Sequence, residues 1–184
     1  MRRRDFIRYL GLGSVAVTIP EAMHAVPAAA TTLCSDKKTK PISGSWFEFQ
    51  HSAAEGGYWN EALAHFTADQ WRRKVFEIRE VGMEYLVLMG VARAGKPFYP
   101  SKIAPRIPMG CDDPLEAVLS AADECGIKFF VSNDFWGDLD AYNMMLDKGV
   151  QTVRFQAMEE IAERYSHHAC FYGWYFPNES WLDP

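Results

Sequence analysis

Several features that would assign this sequence to a common functional class are missing from it. The chain has 184 residues and only four cysteines, none of them in C-x-x-C spacing, so a structural zinc site is not predicted. No apolar stretch reaches the roughly 20 residues that a membrane-spanning helix needs. No basic stripe is present and the net charge is −5, which argues against nucleic acid as a partner because an acidic surface repels phosphates.

Other absences concern cofactors and metals. No glycine-rich phosphate loop follows the first predicted strand, so a nucleotide cofactor is not indicated. His51 and His65 have no partners at metal-ligand spacing, and His167 and His168 are expected at the surface. The sequence therefore predicts neither a cofactor nor a metal. It does have ample material for a packed core, with 48% hydrophobic and 14% aromatic residues.

The first 30 residues have the composition of an export signal. A basic start precedes an apolar stretch over residues 9–19, and residues 28–30 are three alanines that offer a cleavage site. The run from Arg3 to Arg8 resembles the twin-arginine translocation signal, although Arg2 stands where that family usually has Ser or Thr.

This resemblance implies a signal peptide over residues 1–30 and a mature protein that is exported, either periplasmic or secreted. The membrane is then a partner only during export. Residues 31–41 are rich in Lys and Thr and are predicted to be a polar linker.

From residue 42 onward, predicted strands alternate with predicted helices. Apolar runs predict strands at residues 44–49, 85–89, 127–131 and 171–176. A capping box at residues 67–70 and an Asp-Pro pair at 113–114 mark two helix starts. A short helix is predicted over 138–148, ended by Gly149, and a longer one over 152–165. Gly82 and Gly126 mark the ends of the first two helices.

This alternation predicts an α/β fold with about four parallel strands, an incomplete (β/α)₈ barrel spanning residues 42–184. The loops that follow strands are long and polar, whereas the turns that follow helices are short, which is typical of a barrel with its working face at the strand C-termini. A doubly wound sheet is the alternative.

Carboxylates, amides and tryptophans follow the predicted strands. Such residues bind sugars, because hydroxyls accept and donate hydrogen bonds while the apolar ring face of a sugar stacks on an aromatic side chain. The predicted site residues are Glu48, Asn133, Asp134, Trp136, Asn178, Glu179 and Trp181. A carbohydrate substrate is therefore expected, and Trp136 and Trp181 are predicted to be exposed loop aromatics. Trp174 lies inside a strand and is assigned to the core.

The pair Asn178-Glu179 after the fourth strand resembles the Asn-Glu pair of a large clan of retaining (β/α)₈ glycoside hydrolases. The run over residues 173–179 is most similar to an uncharacterised, domain-of-unknown-function family of glycoside-hydrolase-like barrels. The resemblance implies that Glu179 is the general acid/base and that Asn178 holds the substrate's 2-hydroxyl. In that clan the nucleophile follows strand seven, so no residue here takes that role by resemblance.

Three hypotheses stay open. The first is a glycoside hydrolase or a truncated half of one, with Glu48 or Asp134 as a second carboxylate on geometry alone. The second is a carbohydrate-binding or scaffold protein without catalysis. The third is a metal-dependent sugar isomerase, which needs a ligand cluster that the strand ends do not show. A barrel takes about 250 residues, so the sequence represents either a fragment or a chain that self-associates to complete the barrel.

Overall fold

The computed structural model describes residues 40–50, 61–133, 136–137 and 147–176. Strands and helices alternate along these residues. The strands are β1 (Gly44–Phe47), β2 (Tyr85–Leu88), β3 (Ala92–Arg93), β4 (Lys96–Pro97), β5 (Lys128–Ser132) and β6 (Phe171–Tyr175). The helices are α1 (Glu61–Ala64), α2 (Ala68–Glu80), α3 (Pro114–Cys125) and α4 (Lys148–Tyr165).

Four of these strands form one parallel sheet in the order β1-β2-β5-β6. This order follows the chain without a reversal, whereas a doubly wound sheet reverses at its switch point. Each strand is connected to the next through a segment that contains a helix, as parallel neighbours require. The predicted α/β class, with four parallel strands and intervening helices, is confirmed.

The sheet is strongly curved. Its outer strands, β1 and β6, would lie about 14 Å apart in a flat sheet, too far for side chains standing perpendicular to it to meet. The ring centroids of Trp46 on β1 and Tyr175 on β6 are nevertheless 5.1 Å apart. The sheet therefore curves as a barrel wall does, and its inner and outer sides are called the concave face and the convex face below.

The hydrophobic core lies on the convex face. Leu86 and Leu88 of β2, with Phe129 and Val131 of β5, have no solvent exposure. The helices cover them with apolar side chains that are also fully buried: Val75 of α2, Val118 and Leu119 of α3, and Ile161 of α4. This packing is the main source of stability, since fully burying one such side chain contributes about 1.5–3 kcal/mol.

Local capping determines where α2 and α3 begin. The Thr67 hydroxyl accepts from the Gln70 backbone N–H at 3.3 Å, and the Gln70 side chain accepts from the Thr67 N–H at 2.9 Å. The Asp113 carboxylate accepts from the Glu116 N–H at 3.0 Å. Gly126 ends α3 with a φ of 72°, a left-handed conformation that glycine adopts without steric cost. All these predicted helix boundaries are confirmed.

The prediction for α4 was wrong at its start. Gly149 does not interrupt a helix; it lies in the first turn of α4, which begins at Lys148 rather than Thr152. The Asp147 carboxylate caps this turn by accepting from the Val150 N–H at 3.0 Å, and the cap offsets the roughly 1 kcal/mol helical cost of a glycine. Most of the short helix predicted over 138–148 lies outside the described residues.

One further difference concerns the segment after β2. It was predicted as a loop, but it contains the antiparallel pair β3–β4. Ala94 and Gly95 join these strands with φ values of 46° and 74°, as a tight hairpin turn requires. The same loop later contacts the end of α1, where the Gly110 N–H donates to the Ala64 carbonyl at 2.7 Å. None of the described helices combines the length and the apolar character needed to cross a bilayer.

Candidate functional site

The C-terminal ends of the parallel strands meet at one edge of the sheet. Phe47 is paired with Leu88, and Ser132 with Tyr175. The Asn133 N–H extends the last pairing by donating to the Tyr175 carbonyl at 3.2 Å. Side chains that directly follow β1, β5 and β6 therefore lie along this edge, as the sequence predicts.

An aromatic pair occupies the concave face near this edge. The rings of Trp46 and Tyr175 are inclined at 57°, and 58% of Trp46 is exposed. Glu48 directly follows β1 and is half-buried, between Phe47 and Phe49 in the chain. The structure thus places one predicted site residue, Glu48, at the C-terminal end of β1, two residues after the exposed Trp46.

A second aromatic layer lies closer to the N-terminal ends of the strands. The Tyr172 ring is 5.2 Å from Phe130 and 6.2 Å from Tyr85, centroid to centroid. The Lys128 ammonium lies 4.5 Å from the Tyr172 ring centroid and 5.4 Å from that of Tyr85. The concave face therefore has aromatic side chains near both ends of its strands, and it contains a cation held over two rings.

Asn133 does not face this aromatic surface. It is 1% exposed, and its amide group donates to the sulfur of Met158 on α4 at 3.4 Å. Its side-chain oxygen is buried and has no hydrogen-bond partner among the described residues. The Asn133 side chain accordingly belongs to the layer between the sheet and α4, and its predicted contact with substrate stays a prediction.

Trp136 is also in this outer layer, and the expectation of an exposed ring was wrong. It is 5% exposed and packs edge-on against Tyr99, with 6.5 Å between the ring centroids. Tyr99 in turn packs against Tyr165 of α4. A loop tryptophan can be buried when another loop covers it, which the local sequence does not reveal.

A buried carboxylate holds the covering loop in place. Glu160 of α4 is 8% exposed and accepts hydrogen bonds from the Tyr99 hydroxyl at 3.1 Å, the Ser101 hydroxyl at 2.6 Å and the Lys102 N–H at 2.7 Å. Burial, followed by the charge of Glu160, raises the pKa of Tyr99. The phenol therefore stays protonated and able to donate, and this network is structural.

Four predicted site residues, Asp134, Asn178, Glu179 and Trp181, lie outside the described residues. Asn178 and Glu179 follow the end of β6 by three and four residues. Their assignment rests on the sequence alone. Trp174, which the sequence assigned to the core, does pack against it.

The prediction that His168 lies at the surface was wrong. His167 is exposed, but His168 is 6% exposed. Its Nδ1 is 2.7 Å from an Asp123 carboxylate oxygen, and its Nε2 is 3.1 Å from one of Glu116. Burial alone lowers the pKa of His168, but the hydrogen bonds to Asp123 and Glu116 outweigh it and leave the pKa above its ordinary value. Both carboxylates are on α3, far away in sequence, which is why the prediction failed.

The described cysteines have thiol pKa values above the ordinary value. Burial is the largest influence on the thiols of Cys111, Cys125 and Cys170, and it raises the pKa of each. A thiol with a raised pKa stays protonated at neutral pH and reacts slowly. All three are free thiols.

Comparisons with known proteins agree with the fold. A family model described as "Domain of unknown function (DUF4434)" matches residues 42–184. A solved structure from Bacteroides thetaiotaomicron VPI-5482, provisionally assigned as an α-L-fucosidase, matches with a TM-score of 0.57 at 14% identity, covering 86% of this chain and 47% of that one. A GH29 α-L-fucosidase from the same species matches with a TM-score of 0.43 at 18% identity, covering 72% and 38%.

No curated protein matches the sequence. The chain spans about half of the provisionally assigned fucosidase, and at this identity the likeness concerns the fold. It confirms that the four described parallel strands have the arrangement of an incomplete (β/α)₈ barrel.

Proposed function

We propose, from the premise that this chain belongs to the DUF4434 family, that it is an exported carbohydrate-active protein of the glycoside hydrolase kind. Glu179 is the proposed general acid/base and Asn178 the proposed ligand of a substrate hydroxyl. The solved structure with a similar fold is provisionally assigned as an α-L-fucosidase, which supports a sugar substrate for this chain.

The observation that carries this proposal is the aromatic pair on the concave face, formed by Trp46 of β1 and Tyr175 of β6. Trp46 and Tyr175 offer ring faces on the concave side of the sheet, and a sugar places its apolar C–H face on such rings. Glu48, two residues after Trp46 in the chain, is the proposed carboxylate that accepts hydrogen bonds from sugar hydroxyls. Tyr175 ends β6, and Asn178 and Glu179 follow it three and four residues later in the chain.

The chemistry needs a second carboxylate. A general acid protonates the leaving oxygen, and a carboxylate about 5 Å away acts as nucleophile in retention, or activates water from a wider separation in inversion. The clan that the Asn-Glu pair resembles takes its nucleophile from after strand seven. We propose that strands completing the barrel supply it, and that Glu48 serves binding rather than nucleophilic attack.

The concave face also indicates what completes the barrel. Trp46 and Tyr172 are each more than half exposed, and in a closed barrel such positions are buried by the opposite strands. We propose that either further strands of a longer polypeptide or a second copy of this chain covers them. Sedimentation of the purified 184-residue chain distinguishes the two, because only the second copy gives a dimer.

Activity on aryl glycosides, α-L-fucosides included, tests the catalytic role. Glu179→Gln is expected to lower kcat/KM by at least 100-fold, since positioned acid/base groups contribute about 10²–10⁴-fold. Glu163→Gln, which changes an exposed carboxylate on α4, is the matched control and should keep full activity. Undiminished turnover in Glu179→Gln would refute the acid/base assignment.

A non-catalytic carbohydrate-binding role is the second candidate, favoured by the exposed Trp46 ring. It predicts saturable glycan binding without turnover, and binding that is lost in Trp46→Ala. Phe155→Ala, which removes an exposed ring on α4, is the control and should bind the glycan normally.

Export is proposed from the leader. Replacing Arg3 and Arg4 together by lysine keeps the charge but removes the paired arginines that the translocation signal resembles. In a bacterial host the chain should then accumulate in the cytoplasm. The Arg2→Lys variant is the control, and it should still be exported.

A further inference from the structure

A cluster of nitrogen, sulfur and oxygen ligands lies outside the sugar site. One ligand atom each from Asp123, His168 and Cys170 lie within 4.8 Å of one another. Asp123 is in the last turns of α3, whereas His168 and Cys170 immediately precede β6. These elements are 45 residues apart in sequence, so the cluster forms only in the folded chain.

We propose that Asp123, His168 and Cys170 bind a zinc ion through a carboxylate oxygen, the imidazole Nδ1 and the thiolate sulfur. The mixture of oxygen, nitrogen and sulfur donors suits zinc, which commonly takes four tetrahedral ligands. His168 and Cys170 are 6% and 5% exposed, and the Asp123 side chain is 30% exposed. The ion would enter beside Asp123, where water supplies the fourth ligand.

The outer contacts match those of a zinc-binding histidine. When Nδ1 binds the metal, the opposite ring nitrogen donates to a carboxylate in many such sites. In His168 that nitrogen, Nε2, lies 3.1 Å from Glu116. The second Asp123 oxygen accepts from the Cys170 N–H at 2.6 Å, which orients the carboxylate and leaves its other oxygen toward His168.

The movement required of His168 and Asp123 is small. Tetrahedral zinc holds nitrogen and oxygen ligands about 3.3 Å apart, given bond lengths near 2.0–2.1 Å. The His168 Nδ1 and the Asp123 oxygen are 2.7 Å apart, so they must separate by roughly half an ångström. The ion replaces the proton between them. The Cys170 thiol, which donates to the Leu119 carbonyl at 3.2 Å, loses its proton to solvent on binding.

The site would join α3 to the start of β6. Asp123 lies in the helix between the second and third sheet strands, and Cys170 lies one residue before the fourth. Zinc that binds the folded chain more tightly than the unfolded one raises its melting temperature. The expected effect of zinc is on the stability of the fold, and it is independent of the proposed sugar chemistry.

Cobalt substitution tests the proposal in the full chain. Co²⁺ bound to a thiolate gives a sulfur-to-metal charge-transfer band, which zinc added afterwards should abolish as it displaces cobalt. We expect one ion per chain, a band that disappears in Cys170→Ser, and a loss of zinc affinity of at least 100-fold in that variant. Glu116→Gln should weaken zinc about 10- to 100-fold.

Three controls keep the outcome decisive. Cys125→Ser, which alters a half-buried thiol on the same helix, should keep the band. His167→Ala should keep it as well, because His167 belongs to an alternative group with Glu116 and His168. Melting in chelator verifies that each variant is folded. No cobalt band in the wild type, or a band lost with Cys125 or His167 instead of Cys170, would overturn the proposal.

Discussion

The two faces of the sheet have the same strands but opposite environments. On the convex face, Leu86 and Phe129 are fully buried beneath the helices. On the concave face, Trp46 and Tyr172 are 58% and 55% exposed. Alternation along each strand produces both faces from adjacent residues. The packing of the helices on the convex face therefore stabilises the described part of the chain. The concave face is available for substrate or for the rest of a barrel.

The largest effect on stability is expected from truncating a side chain on the convex face of the sheet. Leu86→Ala should cost about 2–5 kcal/mol of unfolding free energy, because it leaves a cavity in a packed core. Val87→Ala changes the next residue, which is half-buried and faces the other way, and should cost about 1 kcal/mol. Urea unfolding of both variants measures the difference. Equal losses would mean that the concave face is also covered in solution.

The next largest effect on stability is expected from removing a buried carboxylate in the helix layer. Glu160→Ala removes the acceptor of three hydrogen bonds and leaves their donors unsatisfied, so we expect a loss of about 2–4 kcal/mol. Glu159→Ala alters the exposed neighbour and should change stability by less than about 0.5 kcal/mol. Thermal or urea unfolding tests the pair, and similar values for both would show that the Glu160 network contributes nothing.

The smallest effect on stability is expected from a substitution on the concave face. Lys128→Gln removes the cation held over Tyr85 and Tyr172, which at an exposed site is expected to contribute about 0.5–1 kcal/mol. Lys102→Gln, at an exposed loop position, is the matched control. A loss of unfolding free energy well above that range would contradict the exposed concave face, since it would mean that Lys128 is shielded from water in solution.

Local signals explain what the sequence predicted correctly. The capping box at Thr67 and the left-handed Gly126 involve groups within a few residues of one another, so their effect can be inferred from the sequence. The apolar run at Tyr85–Leu88 likewise indicates a strand of a parallel sheet. The alternation of strands with helices indicated a parallel sheet, and the long loops after strands favoured a barrel over a doubly wound sheet.

The candidate site was less predictable because burial depends on distant segments. Trp136 is covered by Tyr99, and His168 by the carboxylates of α3; neither partner is local. The ring pair on the concave face joins the outer strands through curvature, which no sequence pattern specifies. The spacing of His168 and Cys170 was the one available hint of the ligand cluster, and alone it is too common to interpret.

The contact at Gly110 limits how this fold can diverge. A Cβ at that position would lie 2.7 Å from the His65 carbonyl oxygen, a clash that only backbone displacement could relieve. The segment before α3 and the segment after α1 are thereby restricted together. Related sequences that lengthen one of them, or replace this glycine, should carry a compensating change in the other, so the two stretches are expected to coevolve.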